Sequence, residues 1–147
     1  MRSTYQNSFQ VRETTIYWGP VALWMLLIFV LSAQSSLGEM HGPPLFQVSR
    51  KIGHVIEYAV MALLVGRGLI YTWRSRGEAL SRRLLMRTWL VGVALCALYA
   101  MTDEFHQTFV PFRGGRIEDV VLDTLSAMAA LGLWYRFRSR QLLDRDQ

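Results

Sequence analysis

The residues of this chain that could do chemistry are concentrated between Tyr99 and Asp123, in a stretch flanked by two apolar segments. Acids, one histidine, one amide and two arginines occur there, namely Asp103, Glu104, His106, Gln107, Arg113, Arg116, Glu118, Asp119 and Asp123. A smaller group, Lys51, His54 and Tyr58, has the spacing i, i+3, i+7 and therefore shares one face of a helix. These residue types predict a polar site for proton transfer, anion binding or metal binding.

The histidine of this stretch has two interpretations. His106 with Asp103 or Glu104 would form an acid–base pair that moves a proton. In the other interpretation, which we favour, these groups only hydrogen-bond the loop to the helices, since structural polar networks also occur in membranes. A nucleophile is poorly supported. Three serines, Ser32, Ser35 and Ser36, lie near the end of an apolar segment without an elbow motif, and they are expected to cap a helix or line a turn.

The two arginines also have two interpretations. Arg113 and Arg116 can hold a phosphate or a carboxylate through paired N–H donors, at a site open to lipid headgroups. They can equally well pair with Glu118 and Asp119. The sequence leaves both interpretations open.

A metal site in this region would use His54, Asp103, His106 and Asp119. None of these residues has the tight spacing of a zinc motif, so we predict no metal and no other cofactor. The polar groups are nevertheless unbalanced in charge. Six acids (Glu57, Asp103, Glu104, Glu118, Asp119 and Asp123) stand against three bases (Lys51, Arg113 and Arg116). Some acids must be solvated or protonated, or a cation must be bound.

The elements that position these residues are predicted from four long apolar runs. Hydrophobic residues make up 52% of the 147 residues, and they do not follow an amphipathic period, which favours membrane spans over a soluble core. The runs are Ile16–Ser32, His54–Trp73, a third from between Leu84 and Thr88 to at least Met101, and a fourth from Ile117 to Trp134. A cleaved signal peptide is disfavoured for the first run, because further spans follow it. The lone Cys96 is expected to be a small buried side chain.

We therefore predict an all-α integral membrane protein with four transmembrane helices. Residues 1–15 would be a cytosolic tail, residues 16–135 a four-helix membrane domain and residues 136–147 a basic cytosolic tail. Residues 33–50 would form a loop, because their glycines and prolines, including Pro44, oppose a continuous helix.

Charge gives the orientation of the predicted spans. The formal net charge is +5, but the basic residues flank the apolar runs, so we read them as topology determinants and predict no nucleic-acid partner. Lys and Arg number two in the N-terminal tail, five in residues 74–87 and four in the C-terminal tail, against two in each of the other two loops. Both termini are therefore predicted to be cytosolic, and the Asp103–Asp123 region faces outward.

The motifs resemble those of the VanZ-like membrane proteins. The resemblance rests on K-x-x-H-x-x-x-Y at Lys51–Tyr58, on Y-A-x-x-D-E-x-H-Q-x-F-x-P-x-R at Tyr99–Arg113, and on D-x-x-x-D at Asp119–Asp123. It covers about residues 20–135 and implies a small multi-helix membrane protein of a family named for a member that raises resistance to the glycopeptide teicoplanin. This chain departs from the pattern with Phe112 and Ser126, where glycine is common, and Ser126 is still small enough for close helix packing.

The resemblance implies a function at the envelope of a bacterium, in its cytoplasmic membrane. We expect a protein that recognises or shields a lipid-linked cell-wall precursor or an anionic lipid headgroup, with altered susceptibility to lipid-tailed glycopeptides. The alternative is a membrane-embedded hydrolase or transferase that acts on a lipid-linked substrate. Ion-coupled transport has little support, because four spans offer little room for a pathway. Membrane lipids are expected partners, and the oligomeric state is left open.

Overall fold

The computed structural model describes residues 2–34, 44–111 and 113–143, with side chains described from Val11 and, in the second segment, from Val48 onward. These residues form four α-helices and no strand, which confirms the all-α prediction. The helices are α1 (Arg2–Ser32), α2 (Pro44–Ser75), α3 (Arg82–Gln107) and α4 (Ile117–Leu143). Phe112 and residues 35–43 of the predicted 33–50 loop lie outside the described residues.

The helices are longer than the apolar runs from which they were predicted. α1 and α4 extend into both predicted tails. The loop boundary at residue 50 is wrong, because α2 already begins at Pro44. Proline opposes a helix interior but is well suited to the first helical position, where no N–H donor is needed. The chain before His54 is therefore helical, which fixes the directions in which its polar side chains point.

The helices run up, down, up and down. The indole of Trp18 donates to Thr72 at 3.1 Å, and that of Trp24 donates to the Glu57 carbonyl at 2.9 Å, so α1 and α2 are antiparallel. α4 packs against both α2 and α3. A Cβ at Gly66 of α2 or at Gly92 of α3 would lie 2.8 Å from a methyl group of Leu131. These glycines therefore allow the three helices to approach closely around one leucine.

Three described segments are long and apolar enough to cross a membrane: Val11–Ser32, Val48–Ser75 and Arg82–Gln107. α4, whose first turns carry Glu118, Asp119 and Asp123, is not among them. The core contains Ile28, Tyr58, Met61, Leu85, Cys96 and Leu131, each almost fully buried. The prediction that Cys96 is buried is therefore confirmed.

Candidate functional site

The chemistry-bearing residues meet at one end of the bundle, where α1 and α3 end and α2 and α4 begin. We call this region the polar cluster and define it by its buried members Ser32, His54, Tyr58, Asp103, Glu104, Gln107, Asp119 and Asp123. The up-down topology brings these four helix ends together.

The last turn of α3 supplies the centre of the polar cluster. α3 continues to Gln107, so Asp103, Glu104 and Gln107 are all helical and all buried. The Gln107 side-chain amide donates to Asp103 at 2.9 Å and to Glu104 at 3.2 Å. A neutral amide thus lies between the two carboxyl groups, where it fixes their separation and lowers their mutual repulsion.

The end of α1 is attached to this centre through Ser32. Its hydroxyl donates to Asp103 Oδ1 at 2.6 Å, across 71 residues of sequence, and its backbone carbonyl accepts from the Arg113 guanidinium. Ser32 is 3% exposed, and its hydrogen bond with Asp103 is buried, whereas that with Arg113 is partly buried. The sequence predicts a serine that caps a helix or lines a turn, whereas the structure makes Ser32 a bridge between α1, α3 and the loop before α4. Ser35 and Ser36 lie outside the described residues.

The loop before α4 lies directly against α3. The backbone N–H of Arg116 donates to Glu104 Oε2 at 2.8 Å. A Cβ at Gly115 would collide with the Glu104 carbonyl, so only glycine permits this approach, whereas a Cβ at Gly114 would meet nothing within 4 Å. Glu104 therefore fixes the position of the segment that carries both arginines.

An ion pair and a histidine–carboxylate pair join α2 to α4 in register. Arg50 donates to Asp119 at 3.1 Å, and His54 Nδ1 lies 3.3 Å from Asp123 Oδ2. Each pair spans 69 residues, because residues four apart on two parallel helices face each other at successive turns. The sequence prediction omitted Arg50. The pattern that could have identified Arg50 is the i, i+4, i+8 spacing of Arg50, His54 and Tyr58, which matches the spacing of Asp119, Asp123 and Ala127.

Three predicted site residues lie at the same end of the bundle but outside the buried polar cluster. Lys51 is exposed, since the position one residue earlier is the one that faces α4. Arg116 precedes α4, and its side chain is exposed. His106 is half-buried and packs its ring against Phe29, with ring centroids 4.2 Å apart.

The expected acid–base pair of His106 with Asp103 or Glu104 is not formed as a hydrogen bond. His106 Nδ1 has no hydrogen-bond partner within the described residues. Asp103 bonds instead with Ser32 and Gln107, and the histidine that meets a carboxylate is His54. The geometry therefore favours His54 and Asp123, and not His106, as a pair that could exchange a proton within the polar cluster.

Buried polar atoms remain unsatisfied in the polar cluster. The Tyr58 hydroxyl, Gln107 Oε1 and Asp123 Oδ1 have no hydrogen-bond partner in the part of the chain that the structure describes. His54, Glu104 and Asp123 each offer one ligand atom, and these atoms lie within 4.8 Å of one another. A buried polar atom without a partner is costly, so the cluster has the capacity to accept a further group.

A bundle with spanning-length apolar helices, an apolar exterior and acids in its interior defines the class of multi-pass membrane proteins. A model of the VanZ/LLP1 family matches residues 3–138, nearly the whole chain. The chain belongs to this family, which confirms the resemblance drawn from the motifs. No curated protein and no solved structure matches the chain.

Proposed function

We propose that this chain is a four-span protein of the bacterial cytoplasmic membrane, with both termini in the cytosol. Its outward end binds the anionic group of a lipid-linked envelope component and so lowers susceptibility to lipid-tailed glycopeptides such as teicoplanin. The observation that carries this proposal concerns the two arginines. Arg113 and Arg116 form no ion pair among the described residues, and Asp119, one of their expected partners, pairs with Arg50 instead.

The surroundings of the arginines support anion binding. The Ser32 carbonyl holds Arg113, and the Glu104 carboxylate holds the backbone of Arg116, so the acids position the loop without neutralising its guanidinium groups. Lys51 is exposed at the same end of the bundle. Guanidinium groups bind phosphate through paired N–H donors, and an ammonium group adds a mobile positive charge. A phosphate-bearing headgroup at the interface fits this set.

The distribution of residues around α4 supports a fourth span. Asp119 and Asp123 are buried against α2, whereas Ile117, Val121 and Leu125 are 70%, 51% and 54% exposed. A helix with acids inside and large apolar side chains outside is suited to lipid rather than water. Its acids lower its mean hydropathy without facing the hydrocarbon.

Orientation is testable with single cysteines, because the one native thiol, Cys96, is buried. In a Cys96→Ala background, we expect Gly114→Cys to react with a membrane-impermeant maleimide in intact cells. Ala79→Cys, in the arginine-rich loop between α2 and α3, should react only after permeabilisation. Both positions are exposed and neither substitution removes a charge. The opposite labelling pattern would refute the proposed topology.

The function is testable as susceptibility to teicoplanin and vancomycin in a sensitive host. The host carries empty vector, wild type, Arg113→Ala, His106→Ala or the matched control Arg140→Ala, at equal membrane abundance. Arg140 is an exposed arginine near the end of α4, far along the chain from the polar cluster. We expect wild type and Arg140→Ala to protect against teicoplanin but not against vancomycin. Arg113→Ala should abolish this protection, and His106→Ala should weaken it moderately. Absence of protection by wild type would remove the glycopeptide role.

A second variant pair tests whether the position of the loop matters. Gly115→Ala should displace the loop from Glu104 and remove protection, whereas Gly114→Ala should retain it. The hydrolase or transferase alternative has less support, because His106 bonds neither Asp103 nor Glu104. If the protein were such an enzyme, it would turn over an envelope lipid, and Asp103→Asn would stop this turnover. Identical lipid profiles of cells with and without the protein would exclude the enzyme.

A further inference from the structure

Three buried side chains from three different helices converge in the polar cluster. His54 of α2, Glu104 of α3 and Asp123 of α4 are 6%, 4% and 0% exposed, and one ligand atom of each lies within 4.8 Å of the other two. Donor atoms bound to one ion at about 2.1 Å are roughly 3 to 4 Å apart. Small rotations of side chains would therefore bring these three donors onto one ion.

Asp123 supplies an independent observation that points to a ligand. Its side chain is fully buried, and only Oδ2 has a neighbour with which to bond, namely His54. Asp123 Oδ1 has no hydrogen-bond partner among the described residues. A buried carboxylate oxygen in this condition costs free energy unless a proton or a cation is supplied to it.

The charge of the polar cluster favours a cation. Four carboxyl groups are buried there, those of Asp103, Glu104, Asp119 and Asp123. Arg50 offsets Asp119, and Ser32 and Gln107 supply only neutral donors to Asp103. The carboxylates nearest His54 therefore lack a permanent positive partner within the described residues, and a dication would offset both of them.

We propose that His54, Glu104 and Asp123 bind one divalent transition-metal ion of the Zn²⁺ or Mn²⁺ type. One imidazole and two carboxylates form a nitrogen–oxygen donor set that suits these ions, whereas Mg²⁺ and Ca²⁺ prefer oxygen alone. Gln107 and the Arg116 N–H, which bond Glu104 at 3.2 and 2.8 Å, would orient that ligand from outside the coordination sphere. The ion would tie α2, α3 and α4 together at the outward end.

The test measures metal retained by the purified protein. Wild type in detergent is incubated with Zn²⁺, Mn²⁺ or Mg²⁺, passed over a desalting column and analysed by inductively coupled plasma mass spectrometry. We expect about one equivalent of Zn²⁺ or Mn²⁺ per chain and none of Mg²⁺. His54→Ala and Asp123→Asn should lower the retained metal at least about tenfold, since even outer-sphere partners contribute that much.

Two control variants separate this site from general binding. His106→Ala removes a histidine of the same region that lies against Phe29, and Glu118→Gln removes an exposed acid near the start of α4. Both should retain metal as wild type does. Equal retention by all variants, or less than about a tenth of an equivalent in wild type, would overturn the proposal in favour of a proton shared by His54 and Asp123.

A measurement on wild type alone covers the case in which a variant does not fold. X-ray absorption at the zinc or manganese edge should show one imidazole and otherwise oxygen ligands, and two imidazoles or none would also overturn the proposal. This inference does not rest on anion binding. Arg113→Ala should keep its metal even where it loses glycopeptide protection, so the two proposals fail separately.

Discussion

The two ends of the bundle are both rich in charged and aromatic residues, but they use them differently. At the polar cluster, buried side chains bond to one another across helices, as Ser32 does to Asp103 and His54 to Asp123. At the other end, arginines lie over aromatic rings at the surface. The Arg87 guanidinium lies 3.9 Å from the centre of a Trp73 ring, and Arg67 lies 5.1 Å from that of Tyr17.

The surroundings explain this difference. The second end, which we call the arginine end, has a cavity of about 630 Å³ lined by Tyr17, Arg67, Tyr71, Trp134 and Arg138, among others. Its cations reach water or headgroups while their stems cover apolar surface, so each is stable without an acid. The acids of the polar cluster lie in the interior and depend on their partners. We therefore expect substitutions to cost more free energy of unfolding at the polar cluster than at the arginine end.

The largest expected effect is that of Arg50→Ala. It would leave Asp119, whose side chain is 5% exposed, without its guanidinium partner, and breaking a buried pair on one side typically costs about 3–5 kcal/mol. Lys51→Ala is the matched control, because it removes an exposed cation one residue away. Thermal unfolding in detergent, followed by loss of the monodisperse gel-filtration peak, measures both. Equal unfolding temperatures would show that the Arg50–Asp119 pair does not stabilise the bundle.

Ser32→Ala should have the next largest effect. It removes the donor to Asp103, and hydrogen bonds to charged groups contribute about 1.5–3 kcal/mol in proteins. The lower value is expected here, since polar groups within membranes find other partners after unfolding. Ser126→Ala is the control, because the Ser126 hydroxyl donates to the Leu122 carbonyl of its own helix and to no other group of the described residues. In a double-mutant cycle with Asp103→Asn, the two changes in free energy of unfolding should not add. Strict additivity would show that Ser32 and Asp103 are not coupled.

The sequence predicted the helices and most of the polar cluster for identifiable reasons. Apolar runs of spanning length predict helices, and the short connection between the third and fourth helices requires their ends to meet, so the sequence places Asp103, Gln107 and Asp123 together, as the structure does. The missing parts were contacts between helices. Ser32 and Arg50 bond partners 71 and 69 residues away, and spacing within one helix does not predict such a partner.

Helix phase explains the errors in detail. The predicted loop includes both Pro44 and Arg50, whereas α2 already begins at Pro44, so the sequence analysis names Lys51 and leaves out Arg50. One residue changes the direction of a side chain by about 100°, which separates an interior position from an exposed one. His106 shares a helix with Asp103, yet its ring packs on Phe29 because α1 passes on that side. The packing of α1 was not encoded in any local pattern.

At the arginine end, Arg67 is expected to stabilise the bundle by replacing the hydrogen-bond donor that Pro20 lacks. Proline lacks an N–H, so the Ile16 carbonyl loses its helical donor, and the Arg67 guanidinium donates to that carbonyl at 2.8 Å. Arg67→Ala should cost about 0.5–1.5 kcal/mol. In a Pro20→Ala background, which restores the donor, the cost should be smaller. The same unfolding assay tests this double-mutant cycle. If Arg67→Ala cost the same free energy of unfolding in both backgrounds, the role of Arg67 would not depend on Pro20.

The smallest effect is expected for Glu78→Gln, which breaks the only ion pair that the described residues form at the arginine end. Glu78 and Arg87 are 3.0 Å apart, but their side chains are 40% and 50% exposed, and exposed pairs contribute about 0.2–1 kcal/mol. Arg87 also keeps its contact with Trp73 after the substitution. We expect an unfolding temperature close to that of wild type, with little dependence on salt. If Glu78→Gln proved as destabilising as Arg50→Ala, burial would not be what distinguishes the two ends, and the case for an ion in the polar cluster would lose its electrostatic basis.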